Sequence, residues 1–222
     1  MRCLQLCDVV LYDRLVSREI VSMTRADALL IDVGKQAGEH QQTQEQILEL
    51  IRTHTLAGKI VARLKGGDPI VFGRGAEEWA FAIELGIPVE FIPGISSAIA
   101  VPALAGIPLT YRELSRSFAV ITGHSHSGEL ETWKHYAGID TLVILMGVQN
   151  RASIAQELIG AGRRPEEPAA FVQRGTLPDQ VVTETTLGEV AASRVVVHSP
   201  AVFVVGQVVK LRERLQHQRA NV

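Results

Sequence analysis

Cysteine is nearly absent: only Cys3 and Cys7 occur in 222 residues. No further thiol completes a tetrahedral zinc site. Their i,i+4 spacing suits a helix, so the two read as core or surface thiols in a reducing cytoplasm, and no metal is expected. No uninterrupted apolar run approaches membrane-spanning length. The opening "MRCLQLCDVVLYDRL" lacks the basic stretch, long apolar run and small-residue cleavage site of a secretory signal. Positive charge is not in excess either. Lys and Arg number 22 against 24 Asp and Glu, the formal net charge is -2, and the pI is near 6.4. That argues against nonspecific nucleic-acid binding, which needs a basic face. No Walker A loop, GxGxxG fingerprint, internal repeat or low-complexity stretch occurs.

What is present is an ordinary globular composition, 46% hydrophobic and 21% charged. The length suits one large domain or two small ones with a real core. Short β-branched runs alternate with helical stretches. Val9 to Tyr12, Leu29 to Val33, Ile60 to Leu64 and Val89 to Ile92 read as buried strands. Thr43 to Ala57 reads as a helix opened by a capping box of Thr43 and Gln46, and Ala76 to Leu85 as a helix ended by Gly86. Strand, helix, strand at this spacing predicts parallel βαβ units. The polar connection "AGIPLTYRELSRS", 105 to 117, marks a boundary. Beyond it the pattern restarts with strands at 118–122, 142–145, 169–172, 181–183 and 202–205, flanked by helices at 151–159 and 208–217. The fold class is α/β, with two α/β domains over 1–112 and 113–222.

The stretch "RLKGGDPIVFGRGAEE", Arg63 to Glu78, concentrates four glycines, two arginines and three carboxylates just after an apolar strand. Gly66 and Gly67 allow close backbone approach to a ligand or a positive φ. Asp68 before Pro69 also fits a helix N-cap, so a ligand loop and a tight structural turn both stand. Ligands in parallel sheets sit at the carboxyl ends of strands, where this loop falls.

The stretches "DVVLYDRLVS", "VGKQAGEH", "RLKGGDPIVFGRGAEE", "IPGISSA", "GIPLT", "TGH", "LMG", "QRGTLPDQ" and "SPAVFVVGQVV" occur in this order along the whole chain. Together they resemble the uroporphyrinogen-III C-methyltransferases. The resemblance implies two α/β domains with S-adenosyl-L-methionine in the cleft between them, leaving as S-adenosyl-L-homocysteine. It also implies a cytoplasmic homodimer. The reaction implied is methylation of uroporphyrinogen III at C2 and C7 to precorrin-2, in siroheme and cobalamin biosynthesis.

Carried over residue by residue, the resemblance makes Asp13 of "YDR" a proton acceptor and Lys35 of "VGK" a proton donor. It places Gly66, Gly67, Asp68, Val71, Ser96, Ser97, Met146 and Gly175 against the cofactor. Arg74, Arg112 and His124 match positions facing the substrate's carboxylates, with Glu77 orienting Arg74; arginine forks suit that task. Without the resemblance, Asp13 reads as a strand-end cap, Lys35 as a solvated lysine and Met146 as core filler.

Three local departures occur: Gln36 stands where Arg is usual, Tyr111 where His is usual, and Ala76 where Gly is usual. The larger one is at the start. The resemblance implies a strand and a "GxGPGDxxLLT" loop ahead of the segment at which this sequence opens. Their lack predicts an uncovered edge or gap beside Val9 to Tyr12, or a partner segment filling it. Two alternatives therefore stand beside the methyltransferase: a noncatalytic cofactor- or tetrapyrrole-binding remnant, and an enzyme acting on a later precorrin.

Overall fold

The computed structural model describes residues 1–34, 43–124 and 133–216, and the chain divides into two units, Met1–Ser96 and Ser97–Val222. The first runs α1 (Arg2–Leu6), β1 (Val9–Tyr12), α2 (Arg18–Val21), β2 (Leu29–Asp32), α3 (Gln44–Leu56), β3 (Val61–Leu64), α4 (Gly75–Glu84). Its sheet has the order β2-β1-β3 and is wholly parallel, Val10 lying opposite Leu30 on one side and Ala62 on the other. The apolar run of β1 is buried on both faces, as expected of a central parallel strand. Val9 and Leu11 pack with Ile47 and Ile51, one turn apart on α3, while Val10 packs with Leu4 and Cys7. Thr43 and Gln46 form the expected capping box of α3. Cys7 donates its thiol hydrogen to the Cys3 carbonyl at 2.9 Å, and burial pushes its pKa up.

Two expectations fail in this unit. Val89 to Ile92 is not a strand: it has no ladder partner among the described residues, and Val89 and Ile92 are 40% and 53% exposed. Pro88 and Pro93 bracket the run and supply no N–H, so β propensity alone does not make it a strand. Phe91 instead stacks on Trp79 at 5.4 Å. Nor is there a gap beside Val9 to Tyr12. That strand is the centre of the sheet and is hydrogen-bonded on both sides, so among the described residues the sheet's edges are β2 and β3.

The second unit runs α5 (Ser97–Leu104), β4 (Phe118–Thr122), β5 (Thr141–Leu145), α6 (Arg151–Gly160), β6 (Pro168–Gln173), β7 (Val181–Thr186), α7 (Leu187–Ala191), β8 (Ala201–Val205), α8 (Leu211–Gln216). The 208–217 helix therefore begins as a 3₁₀ turn, Gln207–Lys210, before α8. Its five-stranded sheet has the order β4-β5-β8-β6-β7; β4 and β5 are parallel and the remaining neighbours antiparallel. Side chains alternate with period two. Leu142, Ile144, Phe171 and Phe203 face α6 and α7, while Val143, Leu145, Val172 and Val204 face α5 and Val208. Phe171 and Phe203 lie opposite each other in register and stack at 4.3 Å. α5 belongs to this unit because Ala98 and Val101 are buried against that sheet.

Candidate functional site

Strand direction collects the sequence-marked residues at one edge of each sheet. Because β1 and β3 are parallel neighbours, Asp13 and the Lys65 to Asp68 segment follow the carboxyl ends of adjacent strands, and the Asp13 amide donates to the Leu64 carbonyl at 3.2 Å. In the second unit β4, β5 and β6 all run the same way, since β8 is antiparallel to both β5 and β6. His124, Met146 and Gly175 therefore end strands at a common edge. Lys35 lies outside the described residues, as does Gln36.

The face of the first sheet turned toward α3 changes character along its length. On β1 it reads Val9, Leu11, then Asp13; on β3 it reads Val61, Arg63, then Lys65. Arg63 Nη2 donates to Asp13 Oδ1 at 2.5 Å and Arg63 Nε donates to Glu78 Oε1 at 3.1 Å. Lys65 Nζ stands 3.5 Å from Asp13 Oδ2 and 3.4 Å from Glu78 Oε1. Gln44 Nε2 adds a third donor to that same Glu78 oxygen at 3.3 Å. The Arg63, Lys65 and Glu78 side chains are 12%, 7% and 6% exposed, against 31% for Asp13. Buried charges survive only when paired and hydrogen-bonded, and here they are. Sequence reading missed Arg63, Lys65 and Glu78. The signal was charge at alternate positions of "VARLK", inside a strand otherwise built for burial.

The glycine loop serves two ends. Gly67 takes φ 71°, the left-handed region that favours glycine. A Cβ on Gly94 would meet the Gly67 carbonyl oxygen, and one on Gly73 or Gly75 that of Pro69, so these close the loop on itself. Gly66 differs: its nearest neighbour to a Cβ would be the Leu15 carbonyl oxygen at an ordinary 3.6 Å. A methyl would fit there in ordinary contact with Leu15, so packing does not require glycine at this exposed position, and close approach of a bound group gives it a reason. Asp68 caps the turn, Oδ1 accepting from the Ile70 and Val71 amides at 3.0 and 3.2 Å, and Oδ2 from the Gly94 amide at 3.2 Å. No helix starts at Pro69; α4 begins at Gly75.

Arg74 N-caps α4 with φ 58° and donates to Glu77 through Nε at 3.0 Å and Nη2 at 2.6 Å. Glu77 thus orients Arg74, and the hydrogen bond pushes the guanidinium further toward its charged form. Val71 and Phe72 beside it are 38% and 43% exposed. Arg112 and His124 are exposed, and the His124 amide donates to Thr122 Oγ1 at 3.2 Å. Ser96 is half-buried at the end of the first unit and Ser97 opens α5.

Met146 is not core filler. It is 52% exposed and holds φ 56° directly after β5. Arg174 and Thr176 flank Gly175 at φ 48° and 72°, in a turn tied by an ion pair of Arg174 with Asp179 at 2.5 Å. Met146, Arg174 and Thr176 carry left-handed backbone just beyond β5 and β6, and Phe72 and Arg74 carry it in the loop before α4; such strain clusters at ligand-binding sites. Gly175 has its own packing reason, since a Cβ there would meet Val101 Cγ1 at 2.4 Å.

Among the described residues no group of His, Cys, Asp and Glu could hold a metal ion, and no helix is long and apolar enough to cross a membrane. Residues 1–191 match the model of the tetrapyrrole (corrin/porphyrin) methylases. A siroheme synthase of Tolumonas auensis is 47% identical over 214 residues, and one of Aeromonas hydrophila 45% identical over 214 residues. Each alignment covers 96% of this chain and 46% of the relative, so the chain spans about half the length of these proteins. A crystal structure of uroporphyrin-III C-methyltransferase from Thermus thermophilus, complexed with S-adenyl homocysteine, superposes with a TM-score of 0.83. It is 41% identical, with 95% of this chain and 90% of that chain covered.

Proposed function

The chain belongs to the tetrapyrrole (corrin/porphyrin) methylases, and on that premise we propose that it transfers methyl groups from S-adenosyl-L-methionine to carbon atoms of uroporphyrinogen III. The product proposed is precorrin-2, methylated at C2 and C7. The observation that carries this reading is the placement of Asp13 beside the exposed Gly66–Gly67 turn, at the carboxyl ends of two adjacent parallel strands. The relative from Thermus thermophilus, which binds S-adenyl homocysteine, supports the choice of methyl donor.

When bound, the donor supplies an electrophilic methyl group on a sulfonium. The protein's tasks are alignment and proton handling. Gly66 and Gly67 admit the donor close to the backbone, with Asp68 holding their turn in shape. Val71, Ser96, Ser97, Met146 and Gly175 complete its binding residues. Arg74, oriented by Glu77, and Arg112 and His124 take carboxylates of the substrate through charge-assisted hydrogen bonds. A pyrrole carbon forms the new C–CH₃ bond as the S–CH₃ bond breaks, the sulfur keeping the bonding pair. The ring gains one positive charge, which it loses by releasing a proton. Asp13 receives that proton; where the ring must also move a hydrogen between positions, Lys35 donates at one position as a second proton leaves another, so the net release stays one per methyl group. A homodimer in a reducing cytoplasm belongs to the same proposal.

The test is anaerobic incubation with S-adenosyl-L-methionine and uroporphyrinogen III, followed by mass spectrometry. Gain of two methyl groups per macrocycle is expected. No gain with bound S-adenosyl-L-homocysteine would mark a binding module, and methylation of later precorrins alone would move the enzyme along the pathway.

A further inference from the structure

We propose that Glu78, acting through Arg63 and Lys65, is the positioning residue that holds Asp13 ready to accept the proton released on methyl transfer. This rests on the methyl-transfer reading above and adds residues that reading does not use. Four charged groups form one closed set. Arg63 reaches Asp13 Oδ1 with Nη2 and Glu78 Oε1 with Nε. Lys65 stands between the other Asp13 oxygen and the same Glu78 oxygen. Each cation touches both carboxylates, so the formal charges cancel within the set.

The four are not equivalent. Glu78 is 6% exposed and Lys65 7%, while Asp13 is 31% exposed and lies at the strand end. A tie made only for stability has no need of an open member, and well-packed apolar side chains replace buried ion pairs at little or no cost in stability. Here the buried members instead fix both oxygens of the one carboxylate that reaches solvent. The arginine fork is planar and rigid, so anchoring Nε on Glu78 sets the direction in which Nη2 meets Asp13. Glu78 also supplies the second negative charge of the set, so that two cations meet two carboxylates. Residues 63 and 65 share a face of β3 through the two-residue period of a strand, and Glu78 reaches that face from the first turns of α4.

The experiment is a double-mutant cycle on turnover, with Glu78→Gln, Asp13→Asn and the pair, each checked by circular dichroism and by affinity for S-adenosyl-L-homocysteine. Glu78→Gln keeps the shape and removes the charge. We expect it to lower kcat at least tenfold with cofactor affinity within twofold of wild type, Glu78→Asp recovering part of the loss. In the Asp13→Asn background the same change should cost less than twofold, because the group it serves is gone. Equal factors in both backgrounds would overturn the inference and leave Glu78 structural; so would loss of the fold in both Glu78 variants. A wild-type chain that transfers no methyl group, or Asp13→Asn at wild-type turnover, would overturn the underlying reading instead, and the inference with it.

Discussion

In the second unit β5 and β8 bury alternate apolar side chains on both faces to their last residues, and β6 does so up to Val172. In the first unit β1 and β3 are apolar only until their carboxyl ends, where Asp13, Arg63 and Lys65 replace the core. Buried charge occurs in both, and its partners differ. Arg163, 4% exposed, pairs with Glu167 and donates to the Ile139 carbonyl at 2.8 Å, which ties a loop to the body of the fold. Arg63 pairs with a carboxylate open to solvent. One arrangement closes on itself; the other leaves one carboxylate, Asp13, partly exposed. The contrast teaches where to look for chemistry: at the member of a buried ionic set that is left exposed.

The largest expected effect breaks the apolar side of the comparison. Phe171→Ala removes a fully buried ring stacked on Phe203 and should cost about 3–5 kcal/mol in urea unfolding. A loss below about 1 kcal/mol would show the sheet core to be loosely packed. Next comes one substitution made in both units. Gly175→Ala forces a methyl to 2.4 Å from Val101 Cγ1 and should destabilise by about 1–3 kcal/mol. Gly66→Ala meets nothing closer than 3.6 Å, so its stability should change by less than about 0.5 kcal/mol. Calorimetric titration should nonetheless show weaker binding of S-adenosyl-L-homocysteine. Equal affinity in Gly66→Ala would remove Gly66 from the binding site. Gly67 is a poorer probe, because any side chain at φ 71° is strained whether or not a ligand is near.

A smaller effect concerns the substrate. Arg74→Ala should raise KM for uroporphyrinogen III about tenfold, or about 1.4 kcal/mol, with the KM for methyl donor unchanged. Its exposed pair with Glu77 contributes little to folding. Equal shifts for both ligands would make Arg74 a loop residue. The smallest effect is with acid. The Ile60 amide, with Arg25, holds Asp8 below its usual pKa, and the Arg116 amide, with Ser117, does so for Asp140. Carboxyls depressed in the folded state contribute stability above the unfolded value of about 3.9, lost as pH falls through the folded value. Asp8→Asn and Asp140→Asn should each flatten the acid limb of melting temperature against pH. Limbs parallel to wild type would show the hydrogen bonds to be immaterial.

Much of this was legible in the sequence. Four of the second unit's strands, β4, β5, β6 and β8, were readable because each is a largely apolar run between turn signals, β7 only in its first half, and α3 because Thr43 and Gln46 set a capping box. Asp13, Gly66 and Met146 were marked by motif, and strand direction puts them at sheet edges. Two things were not readable. Val89 to Ile92 has strand-like residues, but strand formation depends on a neighbour that local propensity does not report. Arg63, Lys65 and Glu78 gain their meaning only when parallel pairing sets residue 13 beside residues 63 to 65, a juxtaposition across fifty positions that no local pattern carries.

The most direct test of the account is turnover of Asp13→Asn with S-adenosyl-L-methionine and uroporphyrinogen III, measured beside its affinity for S-adenosyl-L-homocysteine. Loss of a positioned acid–base group predicts a fall in kcat of about 10²–10⁴-fold with cofactor affinity within twofold of wild type. Wild-type turnover in that variant would contradict the claim that the carboxyl edge of the first sheet carries the proton chemistry.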